Sequence, residues 1–230
     1  MASPSGSTAF SPDLGAISAY ALGRCNVRRP EITTDHLTDA AMAANLVLVD
    51  WAGSQPNLWG VELLPVTLVQ GTIEYTLPAN VLMILDCYIT TTVSGVNTDR
   101  VIYGVSRTEY DAYPNKQSQA FPTVFWANRV QPIQVSMYPC PDDNGPYTLN
   151  LHVVTQDQDA VLAGAAGLDL PYRAFSAFVD GLAAKIALTY APDRYTQLDA
   201  VAQRSSTRLN GQENENVPLF IIPGLQGYRR

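Results

Sequence analysis

The chain has 230 residues, of which 47% are hydrophobic and only 15% charged, and its formal net charge is −7. This length allows one good core, or a core with an inserted subdomain. The low charge content, against about 25% in ordinary domains, favours a surface that other subunits largely cover, with a weakly charged monomer as the alternative. The acidic balance excludes tight binding to duplex DNA, which needs many contacts from lysine and arginine to phosphates.

The distribution of charge and the number of cysteines indicate which partners the chain can bind and in which compartment it folds. Residues 1–171 hold 7 basic and 16 acidic residues, a net of −9, whereas residues 172–230 hold 7 basic and 5 acidic residues, a net of +2. Cys25, Cys87 and Cys140 are odd in number and widely spaced, which argues against a disulfide framework or a zinc site. No signal-peptide pattern is present, and no apolar run approaches the ~20 residues that cross a bilayer. We therefore expect folding in a reducing cytoplasm, with no membrane, metal or cofactor.

Two helices are predicted after a flexible lead of residues 1–12. Asp13 starts the first helix, and Pro30 ends that region. Thr33 or Thr34 can cap the second helix. Residues at the spacing of one helical face predict which sides meet the core. These are Leu14, Ile17, Ala21 and Cys25 on the first helix, and Leu37, Ala41, Ala44, Leu48 and Trp51 on the second.

From about Glu62 the pattern changes to short strands. Residues 66–69 and 72–77 flank Gly71 and predict a hairpin pair. Prolines and the turn at 142–145 separate the later strands, which is typical of a small sandwich or barrel. Those later predicted strands are 81–92, 123–126, 133–138 and 147–154.

Helical periodicity returns after the Gly/Ala segment 163–167, with Pro171 suited to a first helical turn. One helix has a large apolar face and a small-residue face that lets another helix approach closely. A last helix starts near Pro192 and ends at Asn210-Gly211. The three faces are Phe175, Phe178, Leu182 and Ile186; Ala174, Ala177, Gly181 and Ala184; and Tyr195, Leu198, Ala202, Ser205 and Leu209.

The order of elements predicts an α+β fold. An antiparallel helical bundle would comprise residues 13–61 and 168–211, with a β-rich domain of residues 62–167 inserted between its halves. Residues 212–230 would form an extended arm, because Pro218 and Pro223 flank an apolar run and hold it extended. We expect the arm to be mobile in the free subunit and to dock on a partner. Its candidate docking residues are Val217, Leu219, Phe220, Ile221, Ile222, Leu225, Tyr228, Arg229 and Arg230.

Motifs for catalysis and metal binding do not stand out. Phosphate-loop, zinc-protease and dinucleotide patterns do not occur, and residues 104–108 begin like a nucleophile elbow but lack the second glycine. His36 and His152 are the only histidines, and their pairing with a cysteine or serine in space stays open. Calcium at 142–145 or 157–159 is a weaker interpretation than a turn, since asparagine and glycine accept left-handed backbone angles and the first cluster lacks the distant glutamate of an EF-hand loop. A carboxylate pair for glycoside hydrolysis also stays open, because its members need only meet in space.

Two sets of side chains are candidates for contacts with other subunits or partners. Aromatic residues cluster in the β region, where they either pack across strands or form a face for a neighbouring protein. Three arginines on the predicted last helix form either a solvated face or a contact to an acidic surface. The candidate residues are Arg194, Arg204, Arg208, Tyr110, Tyr113, Phe121 and Trp126.

Short motifs follow one another in a recognisable order. They are Leu58-Trp59-Gly60-Val61-Glu62, Val69-Gln70-Gly71-Thr72-Ile73-Glu74-Tyr75-Thr76-Leu77-Pro78, Arg107-Thr108-Glu109-Tyr110, Tyr113-Pro114-Asn115-Lys116, Phe121-Pro122, Tyr138-Pro139-Cys140-Pro141-Asp142, Leu170-Pro171-Tyr172-Arg173 and Gly181-Leu182-Ala183-Ala184. From about residue 14 to the end, the chain resembles the head-to-tail adaptor proteins of tailed bacteriophages, also called tail accessory factors or tail tubular proteins.

The resemblance implies a structural, non-enzymatic subunit of a dodecameric ring beneath the portal protein. It implies that the arm grips the portal, that the β-rich wing contacts a downstream tail or nozzle protein, and that DNA passes through the channel without specific binding. It implies assembly in the host cytoplasm and a final location in the virion, at the head–tail junction. An aromatic-rich tail module that binds carbohydrate or a receptor is the alternative, and a cell-wall hydrolase is a third hypothesis.

Overall fold

The first helix begins where the sequence predicts it. Asp13 Oδ1 accepts a hydrogen bond from Ala16 N at 2.6 Å and so caps helix α1 (Leu14–Arg24). The computed structural model describes residues 10–54, 58–93, 95–162 and 168–212. Within those ranges the other α-helices are α2 (Thr34–Ser54), α3 (Arg107–Ala112), α4 (Phe175–Tyr190) and α5 (Tyr195–Gln212).

Eight strands in the described ranges form two four-stranded sheets, ordered β1-β8-β3-β4 and β2-β7-β6-β5. Neighbouring strands run antiparallel except β5 and β6. The fold is therefore mixed α+β, as predicted. The strands are β1 (Val61–Leu68), β2 (Glu74–Thr76), β3 (Val81–Val93), β4 (Val96–Val101), β5 (Tyr103–Gly104), β6 (Val124–Asn128), β7 (Gln134–Tyr138) and β8 (Tyr147–Thr155).

Two large apolar cores lie within the described chain, one among the helices and one between the sheets, and a small third cluster joins Ala174, Ala177 and Leu209. The helical core joins the two ends of the chain, because α1 and α2 both pack against α4. Its large buried members include Leu14, Leu22, Phe178 and Leu182. The second core draws side chains from both sheets, namely Leu68, Val81, Cys87, Ile89, Phe125, Val135, Met137, Tyr147, Leu149, Leu151 and Val153.

The predicted faces of α1 and α4 match the buried residues, whereas the face of α2 is rotated. On α5, Leu198, Ser205 and Leu209 of the predicted face are buried, and Tyr195 and Ala202 are partly buried. On α2 the fully buried positions are Ala40, Ala43, Ala44, Val47 and Leu48. The predicted core residues Leu37, Ala41 and Trp51 are only partly buried at the edge of the helical core. Helix α2 carries apolar residues around much of its circumference, so periodicity alone did not fix which side is buried.

The hairpin predicted around Gly71 is wrong, because its two strands belong to different sheets. β1 pairs along its whole length with β8, and β2 pairs with β7. Gly71 has a φ of 76°, and its N–H donates to Pro141 O at 3.0 Å. The Tyr75 hydroxyl ties the connection by donating toward Val69 O and Thr72 O, each at 3.2 Å. Since the two sheets share one core, a short loop can cross between them while both strands keep an apolar face inward.

Strands β4 and β5 and helix α3 were not predicted. Every residue of β4 is exposed, so the strand has no alternation of buried and exposed positions to detect. Helix α3 begins with a recognisable cap, in which Ser106 Oγ accepts from Glu109 N at 3.2 Å. The serine that resembled a nucleophile in the sequence therefore serves as a helix cap.

Helix α4 lies close to α2 and is tied to it by charge. A Cβ added at Gly181 would lie 3.3 Å from Val47 Cγ1, so the small-residue face allows a close helix contact, as predicted. Lys185 Nζ lies 2.6 Å from Asp50 Oδ2 on α2.

The segment after β8 is held to α2 by two hydrogen bonds. Asn45 Nδ2 donates to Ala160 O at 3.1 Å, and Ala160 N donates to Asn45 Oδ1 at 2.8 Å.

Candidate interaction surfaces

Helix α2 presents an apolar stripe away from its core. Met42, Leu46 and Val49 recur at spacings of four and three residues, which places them on one helical face. Their side chains are 65%, 46% and 59% exposed. Isolated apolar side chains are normal on a surface, whereas a continuous stripe indicates a contact site.

A groove of about 600 Å³ lies between α1 and the start of α4. Three strongly exposed aromatic side chains border it: Phe10 at 63%, Tyr20 at 60% and Tyr172 at 74%. The Phe10 ring meets the rings of Tyr172 and Phe175 edge-on, with centroids 6.2 Å apart in each case. The predicted flexible lead thus ends in a residue that packs against this groove.

The groove has a positively charged wall and one carboxylate. Arg24, Arg29 and Arg173 line it together with Asp180. Arg24 is ion-paired with Asp180, and Ser205 donates a hydrogen bond to the other carboxylate oxygen of Asp180. These contacts join α1, α4 and α5 directly beside the groove.

The three candidate arginines have different environments. Arg194 precedes α5 instead of lying on it, and its Nη1 donates to Arg24 O and Asn26 Oδ1, each at 2.6 Å. This places a cation at the C-terminal end of α1, where it stabilises the helix dipole. Arg204 and Arg208 are exposed on α5, so their role as partner contacts stays a prediction.

The candidate aromatic residues mostly pack within the subunit. Tyr110 is only 4% exposed, and its ring stacks on Trp126 with centroids 5.8 Å apart. Tyr113 stacks on Tyr138 at 4.2 Å, and Phe121 meets Tyr147 edge-on at 5.5 Å. Tyr113, Phe121 and Trp126 are partly buried. The cross-strand interpretation therefore describes this cluster better than an open aromatic face.

The nucleophile candidates sit in environments that disfavour reaction. All three cysteines are buried and free. Burial raises the pKa of Cys25 and Cys140, and it raises that of Cys87 to about 12, so each favours the unreactive thiol. His36 Nδ1 accepts from Thr33 N at 3.0 Å beside the cap of α2, and the ring of His152 packs toward Tyr88 at 6.2 Å.

The acidic clusters are used in local structure. Asn144 N donates to Asp142 Oδ1 at 3.0 Å, which forms a turn around an aspartate side chain. Neither Asn144 nor Gly145 has a positive φ, so the left-handed angles expected there are wrong. Asp157 Oδ1 accepts from Trp59 Nε1 at 3.0 Å. Over the described ranges, no group of three or more histidine, cysteine, aspartate or glutamate side chains could hold a metal ion.

The candidate docking residues of the arm lie outside the described residues. Gln212 is the last residue of α5, so the helix extends one residue into the predicted arm. In the part of the chain that the structure describes, no helix has the length and apolar character needed to cross a membrane.

Helices that precede and follow the sheets along the chain thus meet in one helical core, and apolar surfaces remain exposed. These features define a mixed α+β subunit whose surfaces suit contacts with other proteins. The sequence matches the SU10 adaptor protein family over residues 13–217, and the chain belongs to this family of phage head–tail adaptors. No curated protein matches the chain.

Family membership confirms the resemblance found in the sequence. It makes the chain a structural phage protein of a class that is not typically enzymatic. It also implies interaction with phage portal and tail proteins and a place in the virion.

Proposed function

We propose that this protein is a subunit of a dodecameric head-to-tail connector ring that joins the portal to the tail and forms part of the DNA channel. The apolar stripe of Met42, Leu46 and Val49 on α2 carries the proposal, because it is the kind of surface that a neighbouring subunit covers. The low charge content of the whole chain supports the same conclusion.

The two cores suggest a division of labour within the subunit. Helices from residues 13–61 and 168–211 would form the bundle that builds the ring. Residues 62–167 would form an inserted sandwich-like wing that contacts a downstream tail or nozzle protein. The shared core of the two sheets and the contacts of α4 with α1, α2 and α5 support this division.

The segment after α5 would be the arm that grips the portal. Its acidic start and its proline-flanked apolar run suit an extended chain laid across another protein. Assembly would take place in the host cytoplasm, and the finished ring would lie at the head–tail junction. The subunit would act by binding, with no catalytic step and no metal.

Electron microscopy of the purified protein, alone and mixed with portal rings, tests the proposal. We expect single subunits in isolation, since a net charge of −7 on each copy opposes side-by-side packing, and a ring of subunits on the portal. Absence of any ring on portals would overturn the connector function. A stable closed ring at micromolar concentration without portal would overturn only the expected order of assembly.

The matched substitutions are Met42→Ser with Leu46→Ser, compared with Tyr103→Ser. Tyr103 is equally exposed, at 69%, but lies on β5. The α2 variant should bind portal as scattered subunits without closing a ring, whereas the β5 variant should form rings normally. Normal rings with the α2 variant would show that the stripe is not the subunit contact.

A further inference from the structure

We infer that the groove between α1 and α4 is an intramolecular docking site for the apolar run Leu219–Ile222 of the same subunit. The groove would hold the chain's own C-terminal segment before the subunit joins any partner, in place of the mobile arm expected from the sequence. This inference concerns the isolated subunit and does not depend on portal binding.

The first observation is where the described chain ends. Ser205 contacts Asp180, and one turn later Leu209 packs with Ala174 and Ala177. Helix α5 thus runs back along α4 toward its start, and Gln212 ends it three residues after the contact of Leu209 with Ala174, close in sequence to the groove residues Tyr172 and Arg173. Residues 213–216 can span about 13 Å when extended, which is enough to bring the following residues to the groove.

The second observation is the composition of the undescribed segments. Residues 1–9 and 163–167 consist of small or polar residues apart from Met1, residues 55–57 are Gln-Pro-Asn, and residue 94 is serine. Only the segment after α5 contains a run of large apolar side chains. The groove's exposed rings, Phe10, Tyr20 and Tyr172, offer flat apolar faces for such a run. Its volume, about 600 Å³, lies in the range that takes a ligand of a few side chains.

The third observation is charge. Arg24 and Arg29 line the groove, and Arg24 is paired with Asp180, the carboxylate in its lining. Arg173 also lines the groove, with its guanidinium placed over the ring of Trp59. The segment begins with Glu213 and Glu215 as it leaves α5. Its acidic start would therefore pass the positively charged edge of the groove before the apolar run enters.

The segment that fills the groove should come from the same subunit, because it is tethered close to the groove. A short tether gives its own segment a millimolar effective concentration at the groove, far above that of a second copy in dilute solution. A groove filled in this way would also shield the apolar run from nonspecific contacts until a partner offers a larger surface.

Paramagnetic relaxation in the full-length protein tests the inference. The native cysteines are buried, so a nitroxide on Gln226→Cys can be attached selectively. We expect the methyl signals of Ile17 and Val179, which line the groove, to lose at least half of their intensity. The signals of Val96 and Val101 on β4 should keep theirs.

A mixed sample shows whether the segment in the groove comes from the same subunit or from a second copy of the chain. Spin-labelled protein without isotopes, mixed with isotope-labelled protein without the spin label, should leave Ile17 and Val179 unaffected. Broadening of these signals in the mixed sample at the full intramolecular level would show that a second copy occupies the groove and would overturn the inference. Lack of selective broadening in both samples would overturn it as well.

Two variants check that the groove itself causes the effect. Tyr20→Ser with Tyr172→Ser should reduce the broadening of Ile17 and Val179 at least threefold. Tyr103→Ser, at a ring of similar exposure on β5 that does not line the groove, should leave it unchanged. Unchanged broadening in the double variant would contradict the assignment of these rings to the docking site. Portal attachment is measured separately, so its failure would affect only the connector proposal.

Discussion

Asp180 on α4 forms an ion pair with Arg24 on α1 through one carboxylate oxygen, and its other oxygen accepts a hydrogen bond from the hydroxyl of Ser205 on α5. The side chains of Arg24 and Asp180 are only 24% and 13% exposed. Asp180→Ala would leave a partly buried cation and a buried hydroxyl unpaired. We expect it to lower the free energy of unfolding by about 2–3 kcal/mol, less than the ~3–5 kcal/mol of a fully buried pair, because Arg24 retains some water.

Asp111→Ala is the matched control for that measurement. Asp111 faces Arg107 at 3.7 Å, and these side chains are 62% and 79% exposed, respectively. Removing such an exposed pair should change the free energy of unfolding by less than about 0.5 kcal/mol. Urea unfolding of both variants provides the comparison. Equal losses would mean that the three-helix contact contributes no more than a surface pair.

Gly181 should not tolerate a larger side chain. Its added Cβ would meet Val47 Cγ1 at 3.3 Å, and the further methyl groups of Gly181→Val would have to push α2 and α4 apart. Overpacking of this kind costs about 1–3 kcal/mol. Gly23→Ala on α1 meets no atom within 4 Å and should instead stabilise the helix by up to about 1 kcal/mol. Thermal unfolding should therefore shift in opposite directions for the two variants.

The contact between Tyr147 and Asp142 should appear in the pH dependence of stability. The Tyr147 hydroxyl donates to Asp142 Oδ1 at 2.7 Å and lowers the pKa of Asp142 below 3.8. Burial, together with this hydrogen bond, raises the pKa of Tyr147 from 10 to about 12. The contribution of Asp142 to the free energy of unfolding is lost as pH falls through the lowered pKa of its carboxyl group. The contribution of Tyr147 is lost as pH rises from about 10 through about 12.

Tyr147→Phe isolates the alkaline part of this behaviour. The variant should lose less stability than the wild-type protein between pH 8 and pH 11, because it lacks one tyrosine whose pKa is raised in the folded state. Tyr75 and Tyr110 also have raised pKa values, so part of the alkaline loss should remain. Urea midpoints at pH 8, 10 and 11 measure the difference. Parallel losses in the two proteins would show that Tyr147 ionises equally in the folded and unfolded states.

The elements with strong periodicity were predictable from the sequence, and those that depend on distant partners were not. The cap of α1 and the buried faces of α1 and α4 follow from local chemistry, as do the β-branched residues of β3. The supposed hairpin at Gly71 failed because the partners of β1 and β2 are β8 and β7, which lie far along the chain. Strand β4 has no buried face to give a signal.

The candidate surfaces were harder to predict than the fold for the same reason. Met42, Leu46 and Val49 are apolar like the buried side of α2, so only the position of α4 shows which side is left open. The groove is built from Phe10, Tyr20 and Tyr172, and no local motif links these distant positions. Family membership, by contrast, was recognisable, because short motifs keep their order along the chain.

The protein should not bind duplex DNA tightly. Residues 1–171 carry the acidic excess, with 16 acidic and 7 basic residues, and a channel built from such subunits should let DNA slide without adhering. We expect a dissociation constant weaker than micromolar at physiological salt, as for nonspecific binders. Fluorescence anisotropy with a labelled duplex measures this. Submicromolar binding with a steep salt dependence would contradict the prediction.

Removal of the segment after Gln212 should separate folding from attachment to the portal. The two large cores and the small third cluster are built from residues within 14–209, so the truncated chain should fold and stay soluble. Burial of Leu219, Phe220, Ile221 and Ile222 offers about 6–12 kcal/mol, but ordering each backbone residue costs about 1–2 kcal/mol. One arm alone should therefore bind weakly, and a ring of arms should hold through effective concentration.

Sedimentation with portal rings should recover the full chain and not the truncated one. A full-length control with all four apolar residues changed to serine should behave like the truncation. If the truncated subunit still assembles on portals, or fails to fold, the arm is not the docking element.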